Sequence, residues 1–337
     1  MSDRLTPRAL LVLALALVAI SSCQRPRRKV EQSPEPAKVH VAPPAEVPAG
    51  RSFVVAAAGD IAGRSNRHLE TAALLLELHE KEPLAAILPL GDLAYPRGEY
   101  HDFLAYYHPS WGHPALRPLT RPVPGNHEYD QGRSDARGYF DYWNGPDVQH
   151  GQAGERGLGY YSFELGDWHL IAVNTSDSCR RIPCAAGSAM HTWLVNDLRE
   201  NTKKCVLAYW HHPRFQLGTA HKSNAAVAPI WDALYQARAD VVLSGHEHNF
   251  QQLARLNREG KRDSDSGIRS FVVGTGGAYP YRNFDHRQVP GAGEVTMAQQ
   301  AGVLVLTLEP GAYRWRFIAV VRGGSGRVLF EGQEECR

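Results

Sequence analysis

Short apolar runs rich in β-branched and small residues alternate along the chain with segments of helical spacing. Phe53–Ala58, Ala85–Leu90, Leu119–Pro124, Cys205–Trp210 and Val241–Leu243 are predicted strands, and Leu69–His79, Ala189–Arg199 and Val227–Ala237 are predicted helices. Tyr160–Leu165 and Trp168–Asn174 read as a hairpin about Gly166-Asp167, and Phe271–Val273, Val303–Leu308 and Tyr313–Val320 supply further strands. Alternation of this kind predicts one α/β domain.

The polar positions carry a second regularity. Five predicted strands run directly into clusters rich in Asp, Asn and His. These are Gly59-Asp60-Ile61-Ala62-Gly63, Gly91-Asp92-Leu93-Ala94-Tyr95, Gly125-Asn126-His127-Glu128, Trp210-His211-His212-Pro213 and Gly245-His246-Glu247-His248. Ligands of α/β sheets collect at the carboxyl ends of strands, so residues far apart in sequence are expected on one rim. Glycine before Asp or Asn lets the chain turn sharply off its strand. The alternation in Gly245–His248 is expected to put His246 and His248 on one face of a locally extended segment.

Carboxylate, imidazole, amide and phenol form a mixed oxygen and nitrogen set suited to Fe, Zn and Mn. The candidate ligands Asp60, Asp92, Tyr95, Asn126, His211, His246 and His248 are more than one ion needs and suit two. Any one of these residues alone would read as a cap on a helix or turn; five ordered clusters would not. His212, beside Pro213, fits a structural or a catalytic role equally, and Glu128 is expected to orient its loop. Gly274-Thr275-Gly276-Gly277 lacks the spacing of a nucleotide-binding loop and reads equally as an anion-facing loop or a simple turn. Tyr100, Phe103, Tyr106, Tyr107 and Trp111 are expected to form a helix face packed on the sheet. His68, His79, His108 and His113 are left as core or surface residues.

The N-terminus reads as an address. Arg4 and Arg8 precede an apolar run, Ala9–Ile20, that is short for a membrane span and suits a signal-peptide core. It ends in Ile20-Ser21-Ser22-Cys23, which resembles a bacterial lipobox, so residues 1–23 are expected to form a lipoprotein signal peptide with lipid on Cys23. Residues 24–50 hold Pro34, Pro36, Pro43, Pro44 and Pro48 among polar and small residues and read as a disordered tether. Residues 51–337 form the expected catalytic domain, exported and held at a membrane, periplasmic or at the outer membrane or cell surface. Export implies an oxidising compartment. With Cys23 set aside, Cys179, Cys184, Cys205 and Cys336 allow three pairings, of which Cys179–Cys184 with Cys205–Cys336 is the one expected. The formal net charge is +2, without the basic stripe of a nucleic-acid binder. Sixteen His, several beside Gly and Asp, point to metal or proton chemistry.

From about Phe53 to the C-terminus the five clusters, in this order, resemble the calcineurin-like metallophosphoesterase superfamily. Many members carry a His two residues after the first Asp, where this chain has Ala62. The purple acid phosphatase branch lacks that His and uses a Tyr three residues after the second Asp, here Tyr95. The chain is similar to the compact bacterial form of that branch. The resemblance implies a four-layer α/β/β/α sandwich of two mixed β-sheets. It implies two metal ions: one held by Asp60, Asp92, Tyr95 and His248, with Fe(III) favoured by the phenolate, and a second, Fe, Zn or Mn, held by Asp92, Asn126, His211 and His246.

It further implies hydrolysis of small phosphate esters, phosphomonoesters first, by a hydroxide formed from water at the metal pair, with a His protonating the leaving group. His127 is one candidate for that His. His221 is the other, ten residues after His211, near where the plant enzymes place a substrate-facing His pair; Ala220 fills the adjacent place. A phosphodiesterase acting on nucleotides, lipids or wall polymers is the nearest alternative. A non-catalytic binding lipoprotein should have lost a ligand or two, and all seven are present.

Overall fold

The computed structural model describes residues 50–321 and 326–337; the expected signal peptide with Cys23, and the tether apart from Gly50, lie outside the described residues. In chain order the elements are β1 (Phe53–Ala58), α1 (Arg67–Lys81), β2 (Leu84–Pro89), a single turn α2 (Tyr100–Asp102) continued by a π turn (Phe103–Tyr107), α3 (Arg137–Asn144), and the two-residue strands β3 (His150–Gly151) and β4 (Gly154–Glu155). There follow β5 (Tyr161–Leu165), β6 (Trp168–Ala172), the distorted turn α4 (Ser176–Cys179), α5 (Ala189–Glu200), β7 (Cys205–Tyr209), α6 (Ala228–Gln236), β8 (Val241–Ser244), β9 (Phe250–Leu256) and β10 (Ile268–Val273). The chain closes with β11 (Gly293–Met297), β12 (Gly302–Glu309), β13 (Ala312–Val320) and β14 (Gly326–Glu335).

Two mixed sheets result. One has the order β14-β13-β12-β1-β2, with β1 parallel to β2 and antiparallel to β12; the other has the order β11-β9-β10-β8-β7-β6-β5, with a parallel centre from β10 to β6. Side chains alternate across a strand, and β7 shows how this serves two cores. Cys205, Leu207 and Tyr209 join the cluster that contains β1, β12 and β13, whereas Val206, Ala208 and Trp210 face Met190 and Leu194 of α5 and Ile230 and Trp231 of α6. On α1, His68, Thr71, Ala72 and Leu75 recur at helical spacing and are buried, covering the first sheet. The layers are therefore helix, sheet, sheet, helix, as the resemblance implied.

One predicted strand does not form. Leu119–Pro124 begins as a 3-10 turn and then runs beside β2 through isolated bridges, Ile87 to Thr120 and Leu90 to Val123. Pro122 and Pro124 bring no N–H, and those of Leu119 and Thr120 close the 3-10 turn, so Arg121 (2.8 Å to the Ile87 carbonyl) and Val123 (3.2 Å to that of Pro89) are left to donate to β2. The aromatic series is also redrawn. Phe103, Tyr107 and Trp111 are buried, but against Tyr139, Tyr142 and Trp143 of α3 and Thr71 of α1, while Tyr100 stays exposed. Strands β9, β11 and β14 were not anticipated. The two expected disulfides are both present, Cys179–Cys184 and Cys205–Cys336.

Candidate metal centre

The carboxyl ends of β1, β2, β7 and β8 meet at one end of the sandwich, two strands from each sheet. Gly59 N–H donates to the Val273 carbonyl (2.8 Å) and His246 N–H to Asp60 Oδ2 (2.8 Å), which stitches the sheets together at this end. The backbone leaves the strands through the left-handed region at Asp60 (φ 60°), Gly91 (φ 84°), Asp92 (φ 52°) and His246 (φ 70°). Side chains adopt this conformation at a cost of order 1–3 kcal/mol, and such strain gathers at functional sites. So the candidate ligands carry the turn themselves, not only the glycines before them. The segment Gly245–His248 is accordingly not extended. A left-handed His246 and two tight turns, Glu247 N–H to Gly245 O (2.9 Å) and Asn249 N–H to Glu247 O (2.6 Å), bring His246 and His248 into the same cluster.

The donor atoms fall into two sets. Tyr95 Oη lies 3.2 Å from each of Asp60 Oδ1, Asp92 Oδ2 and His248 Nε2, and His248 Nε2 is 3.3 Å from Asp60 Oδ1. His211 Nε2 lies 3.1 Å from Asn126 Oδ1, 3.1 Å from His246 Nδ1 and 3.4 Å from Asp92 Oδ2. Asp92 Oδ2 belongs to both sets, and Asp92 Oδ1 accepts the His127 N–H at 2.9 Å. Metal–ligand bonds of about 2.0–2.2 Å place neighbouring donor atoms roughly 2.9–3.5 Å apart, so the spacing fits.

The tautomers fit as well. His211 Nδ1–H donates to the Leu90 carbonyl (2.8 Å) and His248 Nδ1–H to that of Tyr279 (2.7 Å), which leaves each Nε2 with a lone pair aimed into the cluster. In this neutral tautomer His211 Nε2 faces two oxygens and a nitrogen with no hydrogen to give, an arrangement that either a cation or a second proton on the ring would relieve. The electrostatics express the same shortage of positive charge. Burial pulls His211 down, but the Asp92 carboxylate outweighs it and lifts the group to about 9. Burial would raise Asp92, yet His211 and His127 hold it well below the carboxylate range. His246 and His212 are driven well below 6.5 by burial and by neighbouring imidazoles, so both are neutral ligands or neighbours. Burial, then Asp92 and Asp60, push the Tyr95 phenol far up, so its phenolate requires a cation.

Around this core the remaining predicted residues take distinct places. His127 tilts over the Tyr95 ring at 4.4 Å, gives Nδ1–H to the Pro96 carbonyl (2.5 Å), and holds Nε2 3.8 Å from Asp92 Oδ2. His212 is buried, bonded through Nδ1 to Thr175 Oγ1 (3.1 Å), with its ring 4.5 Å from His246. His221 is no merely solvated loop residue: its ring lies 3.9 Å from that of His246. Glu128 orients its loop as expected. Its carboxylate accepts from the N–H groups of Asp92, Leu93, Ala94 and Gly125 at 2.7–3.2 Å, and burial with Asp92 raises it to about 7. In Gly274–Gly277 the Gly274 and Gly276 N–H groups are taken by Asn249 O and Gly59 O, so that loop is a turn packed on β1. Two contacts escaped the sequence reading. Tyr281 stacks on His248 at 4.2 Å, and Glu247 binds His221; neither has a signal beyond its place near a candidate ligand.

The sequence profile of the calcineurin-like phosphoesterase family matches residues 53–250. Among curated proteins, probable purple acid phosphatase 20 of Arabidopsis thaliana is 26% identical over 51% of this chain and 41% of its own length. Purple acid phosphatase 18 of the same plant is 26% identical over 70% of this chain and 51% of its own. The chain thus spans about half the length of the curated relatives it matches. Among solved structures, purple acid phosphatase PPD1 from yellow lupin (Lupinus luteus) seeds superposes with a TM-score of 0.68 at 14% identity, over 85% of this chain and 54% of that one.

Proposed function

Because the chain belongs to the calcineurin-like phosphoesterase family, we propose that it hydrolyses phosphate esters, phosphomonoesters first, at a centre of two metal ions. The observation that carries this reading is the sharing of Asp92 Oδ2 between two donor sets, 3.2 Å from Tyr95 Oη and 3.4 Å from His211 Nε2. Asp60, Asp92, Tyr95 and His248 would hold one ion, Fe(III) by preference for a phenolate; Asp92, Asn126, His211 and His246 would hold Fe, Zn or Mn. Bound there, such ions neutralise phosphoryl charge and make a water acidic enough to lose a proton near neutral pH.

The protein's own residues set the rest. His127 presents Nε2 at the edge of the cluster, placed to meet a phosphoryl oxygen. His221 stands over the His246 side, placed to protonate the departing alkoxide. His212, buried and fixed by Thr175, supports the His246 ring. The two disulfides fit export to an oxidising compartment; a lipid anchor on Cys23 rests on the Ile20-Ser21-Ser22-Cys23 resemblance alone.

The test compares hydrolysis of a chromogenic phosphomonoester and the matching diester across pH, with Asp92→Asn alongside. Preference for the monoester with an inactive Asp92→Asn supports the reading. Preference for the diester moves the function to phosphodiesterase at the same metals. A metal-loaded protein that cleaves neither would overturn it.

A further inference from the structure

The turn α4 is bent in a way that few side chains tolerate. Asp177 (φ 42°, ψ 47°), Ser178 (φ 54°, ψ 48°) and Cys179 (φ 64°) are left-handed in succession, and none of them is glycine. A β-carbon makes each such residue costly, and left-handed residues ordinarily occur singly. The backbone bonds of the turn are long: Cys179 N–H reaches the Thr175 carbonyl at 3.2 Å and Arg180 N–H that of Asp177 at 3.3 Å. Its closure is covalent, the bridge from Cys179 to Cys184, whose Cα atoms are 5.3 Å apart.

The same stretch braces two walls of the candidate metal centre. Just before the turn, Thr175 Oγ1 accepts the His212 N–H at 3.1 Å, and Asn174 Nδ2–H donates to Tyr129 Oη at 2.9 Å. From the turn itself the Asp177 carboxylate packs on Gly132, where an added Cβ would lie 2.5 Å from Oδ2. From the bridged loop Arg181 donates to the Gly132 carbonyl. Residues 129–132 directly follow Asn126, His127 and Glu128, and Asp130 N–H returns to the His127 carbonyl at 3.0 Å.

The two bridges of the protein differ in access. Cys205 and Cys336 are both buried. Cys184 is buried too, in the apolar cluster that holds Met190 and Trp210, but Cys179 is only half-buried and the loop around it exposes Arg180, Arg181 and Pro183. Exchange requires that a thiolate reach a sulfur, so Cys179 is the one open to attack.

We propose that Cys179–Cys184 is a thiol-exchange site: a dithiol opens this bridge and not Cys205–Cys336, and opening releases the turn that braces residues 129–132 beside the candidate metal centre. In the exchange a thiolate of the dithiol bonds to Cys179 Sγ as the S–S bond breaks. The electron pair leaves on Cys184 Sγ, which takes a proton from water. The second thiolate of the dithiol then bonds to the first sulfur and expels Cys179 Sγ, which is protonated in turn. The dithiol gives up two electrons and two protons and ends as a disulfide; the protein gains two thiols. Residues 177–179 then leave the left-handed region, and the contacts on Gly132 are lost. The ligand turns keep bonds of their own, His246 N–H to Asp60 and Asp92 N–H to Glu128. The consequence for catalysis rests on the phosphoester-hydrolase reading; the exchange itself does not.

The experiment treats native, undenatured protein with graded dithiothreitol, blocks free thiols with iodoacetamide, desalts, and maps the labelled cysteines by peptide mass. Label should enter Cys179 and Cys184 while Cys205–Cys336 stays joined. Brief trypsin treatment of the labelled protein should then cut after Arg180 or Arg181 on the order of 10-fold faster than in the oxidised protein, since cleavage follows local opening. For catalysis, native protein is compared with the variant Cys179→Ser, Cys184→Ser, both loaded with zinc and checked for metal content. The variant should hold the same metal and show KM for a phosphomonoester raised about 3- to 10-fold, with kcat changed less. If the variant fails to fold, the labelled protein reloaded with zinc takes its place.

Label entering Cys205 and Cys336 as early as Cys179 and Cys184 would overturn the proposal. So would an opened bridge that leaves both tryptic cutting and KM unchanged. Native protein that cleaves no ester would instead remove the hydrolase reading, and the labelling and the tryptic cutting would still decide the fate of the bridge.

Discussion

The N–H of Tyr95 donates to the carbonyl of Ala62 at 2.8 Å, and Ala62 forms a parallel bridge with the neighbouring Ala94. The position that carries a His in many superfamily members and the position that carries the phenol here are thus adjacent on one rim. The phenol at the end of β2 stands beside the position where the end of β1 offers no donor side chain.

That adjacency singles out Tyr95 among the candidate ligands of the first set. Tyr95→Phe removes the oxygen that three other donors surround at 3.2 Å. Bound metal is expected to fall from about two ions per chain to about one. Any visible absorption from a phenolate–Fe(III) pair should vanish with it. Elemental analysis and an absorption spectrum check both.

Glu128 acts through the backbone. Glu128→Ala leaves four buried N–H groups, of Asp92, Leu93, Ala94 and Gly125, without an acceptor. At about 1–3 kcal/mol for each unsatisfied group, partly relieved by relaxation, a loss of at least 3 kcal/mol is expected. Urea unfolding measures it, and metal affinity should fall together with stability because these N–H groups shape the Asp92 turn.

Asp240 gives the fold a pH dependence at the end away from the candidate metal centre. Burial raises its carboxyl from 3.8 to about 6, against the N–H groups of Val206 and Arg337 that favour the anion. Because the folded-state value is the higher, folding takes up a proton. The contribution of this group is then greatest below pH 4, declines as pH rises from about 4 to about 6, and is flat above. Two units correspond to roughly 3 kcal/mol. The midpoint of urea unfolding, followed between pH 4 and 7, should carry this slope in the native protein and lose it in Asp240→Asn.

The Cys205–Cys336 bridge ties the first residue of β7 to the end of the chain across 131 residues. Closing a loop of that length in the unfolded chain is worth about 4–5 kcal/mol. Replacing both cysteines by Ala should lower the melting temperature by several degrees and leave metal content unchanged, since Cys205 begins the strand whose opposite end leads to His211. Calorimetry with metal analysis tests the pair of outcomes.

Much of this protein is legible in its sequence because the signals are local. A strand announces itself by its own apolar residues, and Gly-Asp, His-His and His-Glu-His mark the ends of β1, β2, β7 and β8 wherever those strands come to lie. Where stabilisation comes from elsewhere, the signal fails. β9 has the polar Gln251 and Gln252 at buried positions because Leu217 and Trp315, from other parts of the chain, supply their partners. β14 is largely exposed and rich in Glu and Gly, and is drawn into the sheet by β13. Leu119–Pro124 errs the other way, apolar enough for a strand but short of donors.

By itself, then, the sequence determined which residue types stand in which clusters and that their donors suit a pair of ions; it left three cysteine pairings open, of which the fold forms Cys179–Cys184 and Cys205–Cys336. Tertiary structure alone decided that one oxygen of Asp92 serves both donor sets. It also decided that His246 reaches the cluster through a left-handed turn and that Glu247 faces His221 while its two neighbours face the metals' place. These are matters of direction and of distance to about 3 Å. They are set by how two sheets pack and where each side chain finds its hydrogen-bond partner, and a linear pattern carries neither.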